Sequence, residues 1–508
     1  MDEMNFERTP RPRIASKTRV IAAASSLDDR IIISEPVLKQ IGKIADQLNV
    51  ELYIVGGYVR DYYLKKNRYD FDFTVVGDGI AFAEEIARRF KSKAVIYQKF
   101  RTAMVPIANF KFEFVGTRKE EYKPRSRKPI VTEGTLTDDL RRRDFTINSL
   151  AVSLNSATFG KLTDDFEGLQ DLKSKILKTP LDPATTFSED PLRMLRAARF
   201  ASQLDFIIHQ ACYFAIKRLS ERIQIISQER ISEEFLKVLS SSKPSHGLYI
   251  LYDTGLMKYI FPEIDKMSGI ETVTVNGRDY NHKDVMLHTF QVLDNLAPFT
   301  DNVWLRFAAL VHDIAKPITK RFQEGIGWTF YGHEELGARY IERIFRRMRL
   351  PLDKVEYVEK IVRLHQRPMA LVDEGVKDSA VRRLAFHAGD SLEDLFILCK
   401  ADITTNNPKL SYQYFNNYDY VYNKVLEVQE KDKLREFQSP VRGDEIMEIC
   451  QIPPSKPIGI IKNMIEEAIL DGLIPNEYEA AKEYFIKHKD EWLAKITDDE
   501  IDLTRKDD

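Results

Sequence analysis

Between residues 35 and 160 the apolar positions follow two different periods in turn. VLKQIGKIADQLNV and AFAEEIARRF repeat at three and four, the spacing of one helix face, whereas ELYIVGG, FDFTVVG, KAVIYQ and FKFEFVG are short alternating or continuous apolar runs of the kind strands show. Interleaved helix and strand signals predict an α/β sheet domain. From PLDPATTF onward the helical period takes over, in PLRMLRAARFASQL, EEFLKVL, HTFQVLDNL and EYVEKIVRLH, and strand signals fade. The remainder is therefore predicted to be mostly helical. SSSKPSHG, TVNGRDYNH, TTNNPKLS and QIPPSKPIG read as loops, with domain boundaries near 180, 270 and 435. The chain carries no internal repeat and no low-complexity tract.

Within this pattern one strand is chemically odd. In YDFDFTVVG, alternation places Asp70 and Asp72 together on one face while Phe71 and Phe73 turn into a core. Two carboxylates side by side repel, a cost offset if a divalent cation such as Mg²⁺ lies between them and shares its coordination with phosphates. For a lone D-x-D an exposed edge strand is the commoner reading. Three neighbours favour the chemical reading. Gly56 and Gly57 end the strand LYIV, where glycine lets backbone N–H groups approach a phosphate, and Arg60 follows one turn into the next helix. The strand FKFEF offers Glu113, flanked by Phe112 and Phe114, as a third carboxylate for a site of two cations roughly 3.5–4 Å apart. Residues 118 to 143, ending in Arg141, Arg142 and Arg143 before Asp144, hold nine Lys or Arg against five acids, which suits a triphosphate or an RNA end.

A second constellation lies in the helical half. His288, His312 with Asp313, His333, His365 and Asp402 form an H…HD…D pattern, in the contexts MLHTF, LVHDIAKP, YGHEE, RLHQRP and CKADITT. Imidazole and carboxylate ligands on helices suit one or two divalent metals that activate water against a phosphoester, and the ligand set suits several metals. Lys316, four residues past His312, is expected on the same helical face and within reach of a phosphate.

Composition narrows the class. With 508 residues and 43% hydrophobic content the chain holds several domains with real cores, and a formal net charge of −2 leaves polyanion binding to local basic clusters. Cys212, Cys399 and Cys450 are odd in number and widely spaced, which suits a reducing compartment. The N-terminal stretch is basic without an apolar run behind it, and nowhere is there an 18-residue apolar stretch, so a cytoplasmic protein that binds no membrane is expected.

VGGYVRD, YDFDFTVVG, DDLRRRDFTINSLAV and FSEDPLRMLRAARFASQLDF, with QERISEEFLKVL behind them, together resemble the bacterial-type tRNA nucleotidyltransferase and poly(A) polymerase family, in particular its CCA-adding enzymes. The resemblance implies an α+β fold: a polymerase-beta-like mixed-sheet head, then an all-α neck, an HD domain and a helical tail. The expected spans are an N-terminal extension over 1–34, the head over 35–178, a nucleotide-selecting, RNA-binding neck over 179–270, the HD domain over 271–434 and a tRNA-contacting tail over 435–508. It implies that Asp70 and Asp72 hold Mg²⁺, with Glu113 catalytic beside them, that Gly56, Gly57 and Arg60 hold the triphosphate, and that Arg143 and Asp144 contact phosphate and sugar. Asp190 and Arg193 stand three apart, on one helix by this reading, and would choose the base, with Arg196 and Arg199 reaching phosphates. A carboxylate and a guanidinium match the amino group and ring nitrogen of cytosine and adenine and clash with uracil and guanine. The bland alternative is an ion pair on a surface helix. The six histidines and aspartates of the second half resemble an HD phosphohydrolase centre with a divalent metal. The expected function is template-independent addition of CCA to tRNA from CTP and ATP. Addition of A or C alone, poly(A) synthesis, and an HD phosphohydrolase with an RNA-binding head are the alternatives.

Overall fold

The structure, a computed structural model, describes residues 30–66, 71–98, 101–121, 130–275, 278–372, 377–432, 439–453 and 455–504. The chain forms two compact units, one of residues 1–268 with 347–350, the other of residues 269–346 with 351–508.

The first unit opens with β1 (Leu52–Val55), β2 (Phe71–Val75), β3 (Val95–Tyr97), β4 (Thr102–Ile107), β5 (Phe110–Gly116), β6 (Arg118–Glu121), β7 (Ile130–Glu133), β8 (Ala151–Ser153) and β9 (Leu162–Thr163). Seven of these make one mixed sheet in the order β3-β4-β5-β2-β1-β8-β9, and β6 pairs with β7 apart from it. Only the central β2–β5 pair of that sheet is parallel. Alternation decides which side each residue takes: Phe71, Phe73, Phe112 and Phe114 are buried on one face, with Phe71–Phe112 and Phe73–Phe114 ring centroids 4.9 and 4.7 Å apart. The helix Gly79–Arg89 packs on β4 and β5 with Phe82, Ala83, Ile86 and Ala87 buried, started by Asp78, which accepts from the Ile80 and Ala81 amides. It approaches closely because a Cβ on Gly79 would lie 2.4 Å from the Gly116 nitrogen. Behind the sheet domain, the helix Leu192–Leu204 is buried along most of its length against Gln228–Leu239 and Pro244–Asp253.

The second unit is mainly helical, as expected. Val285–Leu296, Val303–Val311, Val355–Leu364 and Leu392–Ala401 pack together, and the tail helices Gly443–Cys450, Lys456–Leu470 and Tyr478–Thr504 share a separate core around Ile461, Ile465 and Phe485. Two strand pairs depart from the helical expectation, Thr272–Val275 with Arg278–Asn281 and Arg321–Gln323 with Gly327–Thr329. The first occupies TVNGRDYNH, which reads as a loop by its Gly and Asn content. The alternating Thr-Val-Thr-Val ahead of Asn-Gly is in fact a hairpin sequence. Among the described residues no helix is long and apolar enough to cross a membrane.

Candidate functional sites

The polar face of the sheet carries the first site. Asp72 on β2 stands in register opposite Glu113 on β5, on the side away from the phenylalanines. Desolvation and the neighbouring Asp72 charge push the Glu113 carboxyl up, with Arg118 opposing. A pair of like charges in register is relieved by a hard cation, so this donor set fits one. Asp70 lies outside the described residues.

The same unit gathers several arginines. Gly56 turns with φ +67°, and a Cβ there would sit 3.1 Å from Nη1 of Arg143, so that guanidinium lies against the turn that leads into the helix Gly57–Tyr63. Arg60 holds Asp61 with Nε and Nη2 at 2.8 and 3.0 Å and donates from Nη1 to Oδ1 of Asn148 at 2.9 Å. Asn148 in turn donates to Asp144 at 3.0 Å, and the other oxygen of Asp144 accepts from Nε of Arg196 at 2.8 Å. Burial works against the Asp144 charge, but Arg196 and the Asn148 bond outweigh it and hold the carboxyl at about 2. Arg199 pairs with Glu234 at 3.0 Å, and burial followed by the Arg196 charge lowers it to about 10. Arg60, Arg196 and Arg199 all lie over the Phe200 ring, 4.3 to 5.4 Å from its centroid. A concentration of partly desolvated guanidinium groups of this kind is an anion site in waiting.

The second site gathers all six residues read from the H…HD…D pattern. Nε2 of His288 lies 2.8 Å from Asp402, Nε2 of His312 3.3 Å from Asp313 and 3.6 Å from Asp402, and Nε2 of His333 3.2 Å from Asp313. His365 faces His333 at 3.4 Å and Asp313 at 3.9 Å. Each outer nitrogen is engaged: Nδ1 of His312, His333 and His365 meets the carbonyl three residues earlier at 2.7 Å, and Nδ1 of His288 meets the Thr404 hydroxyl at 3.0 Å. That arrangement fixes the rings with Nε2 inward. Nε2 of His312, Oδ1 of Asp313 and Oδ1 of Asp402 are buried without a hydrogen-bond partner, as expected of atoms that ligate a metal. Burial disfavours charge on His312, but Asp313 and Asp402 outweigh it and raise its pKa to about 10, whereas burial and then the His312 charge lower His365 to about 4. The basin opens into a cavity of about 640 Å³ lined by Tyr280, Trp328, Phe330, Tyr414, Tyr418 and Lys316 among others.

Comparison with known proteins matches three regions of the chain. Residues 52–178 match the poly A polymerase head domain, 205–268 the probable RNA and SrmB-binding site of polymerase A, and 285–407 the HD domain. The multifunctional CCA protein of Methylococcus capsulatus is 31% identical over 369 residues, 70% of this chain and 81% of that one. The chain belongs to the tRNA nucleotidyltransferase and poly(A) polymerase family. Another relative, the A-adding tRNA nucleotidyltransferase of Geobacter sulfurreducens, is 35% identical over 231 residues, 45% of this chain, and the match spans only 26% of that longer protein. The fold is that of the Bacillus stearothermophilus CCA-adding enzyme solved in complex with CTP, with a TM-score of 0.61, 22% identity and coverage of 89% of this chain and 96% of that one.

Within this chain two expectations need correction. Asp190 and Arg193 do not share a helix: Pro183–Glu189 ends before Asp190, which is extended at φ −133° and ψ 97°, and the next helix starts at Leu192. The cause is Pro191, because a residue preceding proline is pushed out of the helical region. Asp190 instead accepts from the Leu192 amide at 3.2 Å and from Arg230 at 3.3 Å, while the buried Arg193 donates to the Arg142 carbonyl at 2.6 Å. Likewise Lys316 and His312 do not share a helix, since Val303–Val311 ends before His312 and a short new helix begins at Lys316. The Lys316 ammonium donates to Asp313 at 2.6 Å. Sequence reasoning missed Asp139, hidden in the charge run DDLRRRD. It is fully buried, and its spacing of three and four to Arg142 and Arg143 was the available signal.

Proposed function

We propose that this chain adds C and A to the 3′ ends of tRNA, consuming CTP and ATP in the cytoplasm without a nucleic-acid template. The observation that carries the reading is the in-register pair of Asp72 and Glu113 on the polar face of the sheet, taken together with Arg143 at the Gly56 turn and the cluster of Arg60, Arg196 and Arg199 over Phe200. Mg²⁺ ions held by Asp70, Asp72 and Glu113 would supply charge neutralisation for the triphosphate and activation of the tRNA 3′ hydroxyl. The remaining work falls to the protein. Arg143 and the turn at Gly56 and Gly57 take the triphosphate, with Arg60 as a further cation, and Asp144 keeps Arg196 aimed at the same space through their 2.8 Å bond. Asp190 and Arg193 read the Watson–Crick edge, which requires Arg193 to exchange its bond to the Arg142 carbonyl for one to the base. The head over 35–178 and the neck over 179–270 form this site, and the tail over 435–508 contacts the body of the tRNA.

In the second unit the HD domain, over 271–434, hydrolyses phosphoesters. His288, His312, Asp313, His333, His365 and Asp402 hold a divalent metal that would supply a Lewis acid and an activated water. Lys316 balances the Asp313 charge at the mouth of the cavity.

A second reading of the head, addition of A alone, is supported by the 35% identity over 231 residues to the A-adding relative. One experiment separates them. The protein is incubated with tRNA ending at the discriminator base, or already ending in CC, with CTP and ATP singly and together, and the product ends are sequenced. CCA on the first substrate confirms the main reading. A added only to the CC-ended substrate supports the second.

A further inference from the structure

We infer that Asp139 is a positioning residue for the incoming nucleotide, acting through Arg143, an inference that rests on the proposed reading of Arg143 as a triphosphate ligand. Asp139 lies on the short helix Leu136–Arg141, with its carboxylate fully buried. Burial works against its ionisation, but Arg142 and then Arg143 outweigh that and hold it below the usual carboxylate range. Its two oxygens have separate tasks. Oδ1 accepts from Nε of Arg142 at 3.0 Å, while Oδ2 accepts from Nη2 of Arg143 at 3.2 Å and from the Thr74 hydroxyl, also at 3.2 Å.

Thr74 is what turns an ion pair into a device. It sits on β2 two residues beyond Asp72, on the same face, and is itself completely buried. One carboxylate oxygen therefore ties the Arg143 guanidinium to the strand that carries the metal-binding aspartate. Arg143 is left with Nη1 against the Gly56 turn and with a buried Nε that has no hydrogen-bond partner. The charge that would meet the triphosphate is thus referenced to the carboxylates that would hold its cations. A buried carboxylate is costly unless paired, and a six-residue surface helix does not need one for its own stability. Arg142 compensates one oxygen of Asp139, and the pairing that compensates the other is the one that aims Arg143.

The test uses the full chain with a tRNA primer, measuring KM and kcat for CTP and ATP in Asp139→Asn, Arg143→Ala and the double variant, with thermal unfolding of each. Asp139→Asn keeps the side-chain shape and removes the charge, so KM should rise about tenfold for both nucleotides while kcat changes far less. The double variant should have a KM no higher than Arg143→Ala alone, because Asp139 has nothing left to position. A folded Asp139→Asn enzyme with wild-type KM overturns the inference, as do effects that multiply in the double variant. If Arg143→Ala itself leaves KM unchanged, the reading of Arg143 fails and the inference with it, an outcome distinct from the first two. Should Asp139→Asn not fold, Thr74→Val cuts only the link to β2. A rise in KM of about threefold there supports the inference, and an unchanged KM overturns it.

Discussion

Asp144 shows how much a single side chain can be altered by its neighbours. Its folded pKa of about 2 lies below the ordinary carboxylate value, so it contributes stability that is fully present above about pH 4 and is lost as pH falls through its folded value. Asp144→Asn should therefore lower the urea midpoint near neutrality, and the gap from wild type should close as the pH approaches 2. A gap that stays constant across that range would mean that the Arg196 pairing is not what stabilises the charge. Single residues were unevenly legible in the sequence. Asp72 and Glu113 could be read because each alternates with buried phenylalanines, and the face follows from the period. Asp190 was misplaced because a spacing of three suggests a helical neighbour of Arg193, whereas the intervening Pro191 dictates a break. Asp139 went unread because burial cannot be seen in a run of charges.

At the scale of elements, the β2–β5 pair separates stability from chemistry by face. Phe114→Ala removes a ring stacked on Phe73 and packed against Phe82, and should cost about 3–5 kcal/mol in urea unfolding. Asp72→Ala, on the opposite face, should leave the unfolding midpoint close to wild type and abolish nucleotide addition, while tRNA binding through Lys and Arg contacts persists. Substantial incorporation by Asp72→Ala would remove the cation-binding role from this strand. The strands themselves were legible because aromatic and β-branched residues in short runs leave few alternatives. The pair Thr272–Val275 and Arg278–Asn281 was not, since Gly and Asn serve loops and hairpin turns alike and only the flanking alternation tells them apart.

At the scale of the whole molecule, the chain places its two sites in two compact units, each built from its own residues. His312→Ala should abolish metal-dependent hydrolysis of cyclic phosphates and nucleotides, assayed with Mg²⁺, Mn²⁺, Ni²⁺ and Co²⁺, and spare nucleotide addition. Loss of both activities in that variant would show that the sites depend on each other. A turn-rich stretch near 270 is visible in the sequence, and the six metal-binding candidates as a pattern spread over more than a hundred residues. What the pattern withheld is that most of these candidates sit at helix ends: His312, His365 and Asp402 each terminate a helix and His333 begins one, so the basin is assembled from capping positions.

The parallel pairing of β2 with β5 also sets where the chain can change its length. Between the two strands the chain runs through the helix Gly79–Arg89 and then β3 and β4, and a residue gained or lost in the turns that flank that helix leaves Asp72 facing Glu113. A residue gained inside FKFEF would rotate the carboxylate of Glu113 into the phenylalanine layer and bring a ring out to the arginines, because the side-chain period is two. Insertions in the turns should therefore yield active enzymes of varied length, whereas one insertion in β5 should destroy both the core and the site at once.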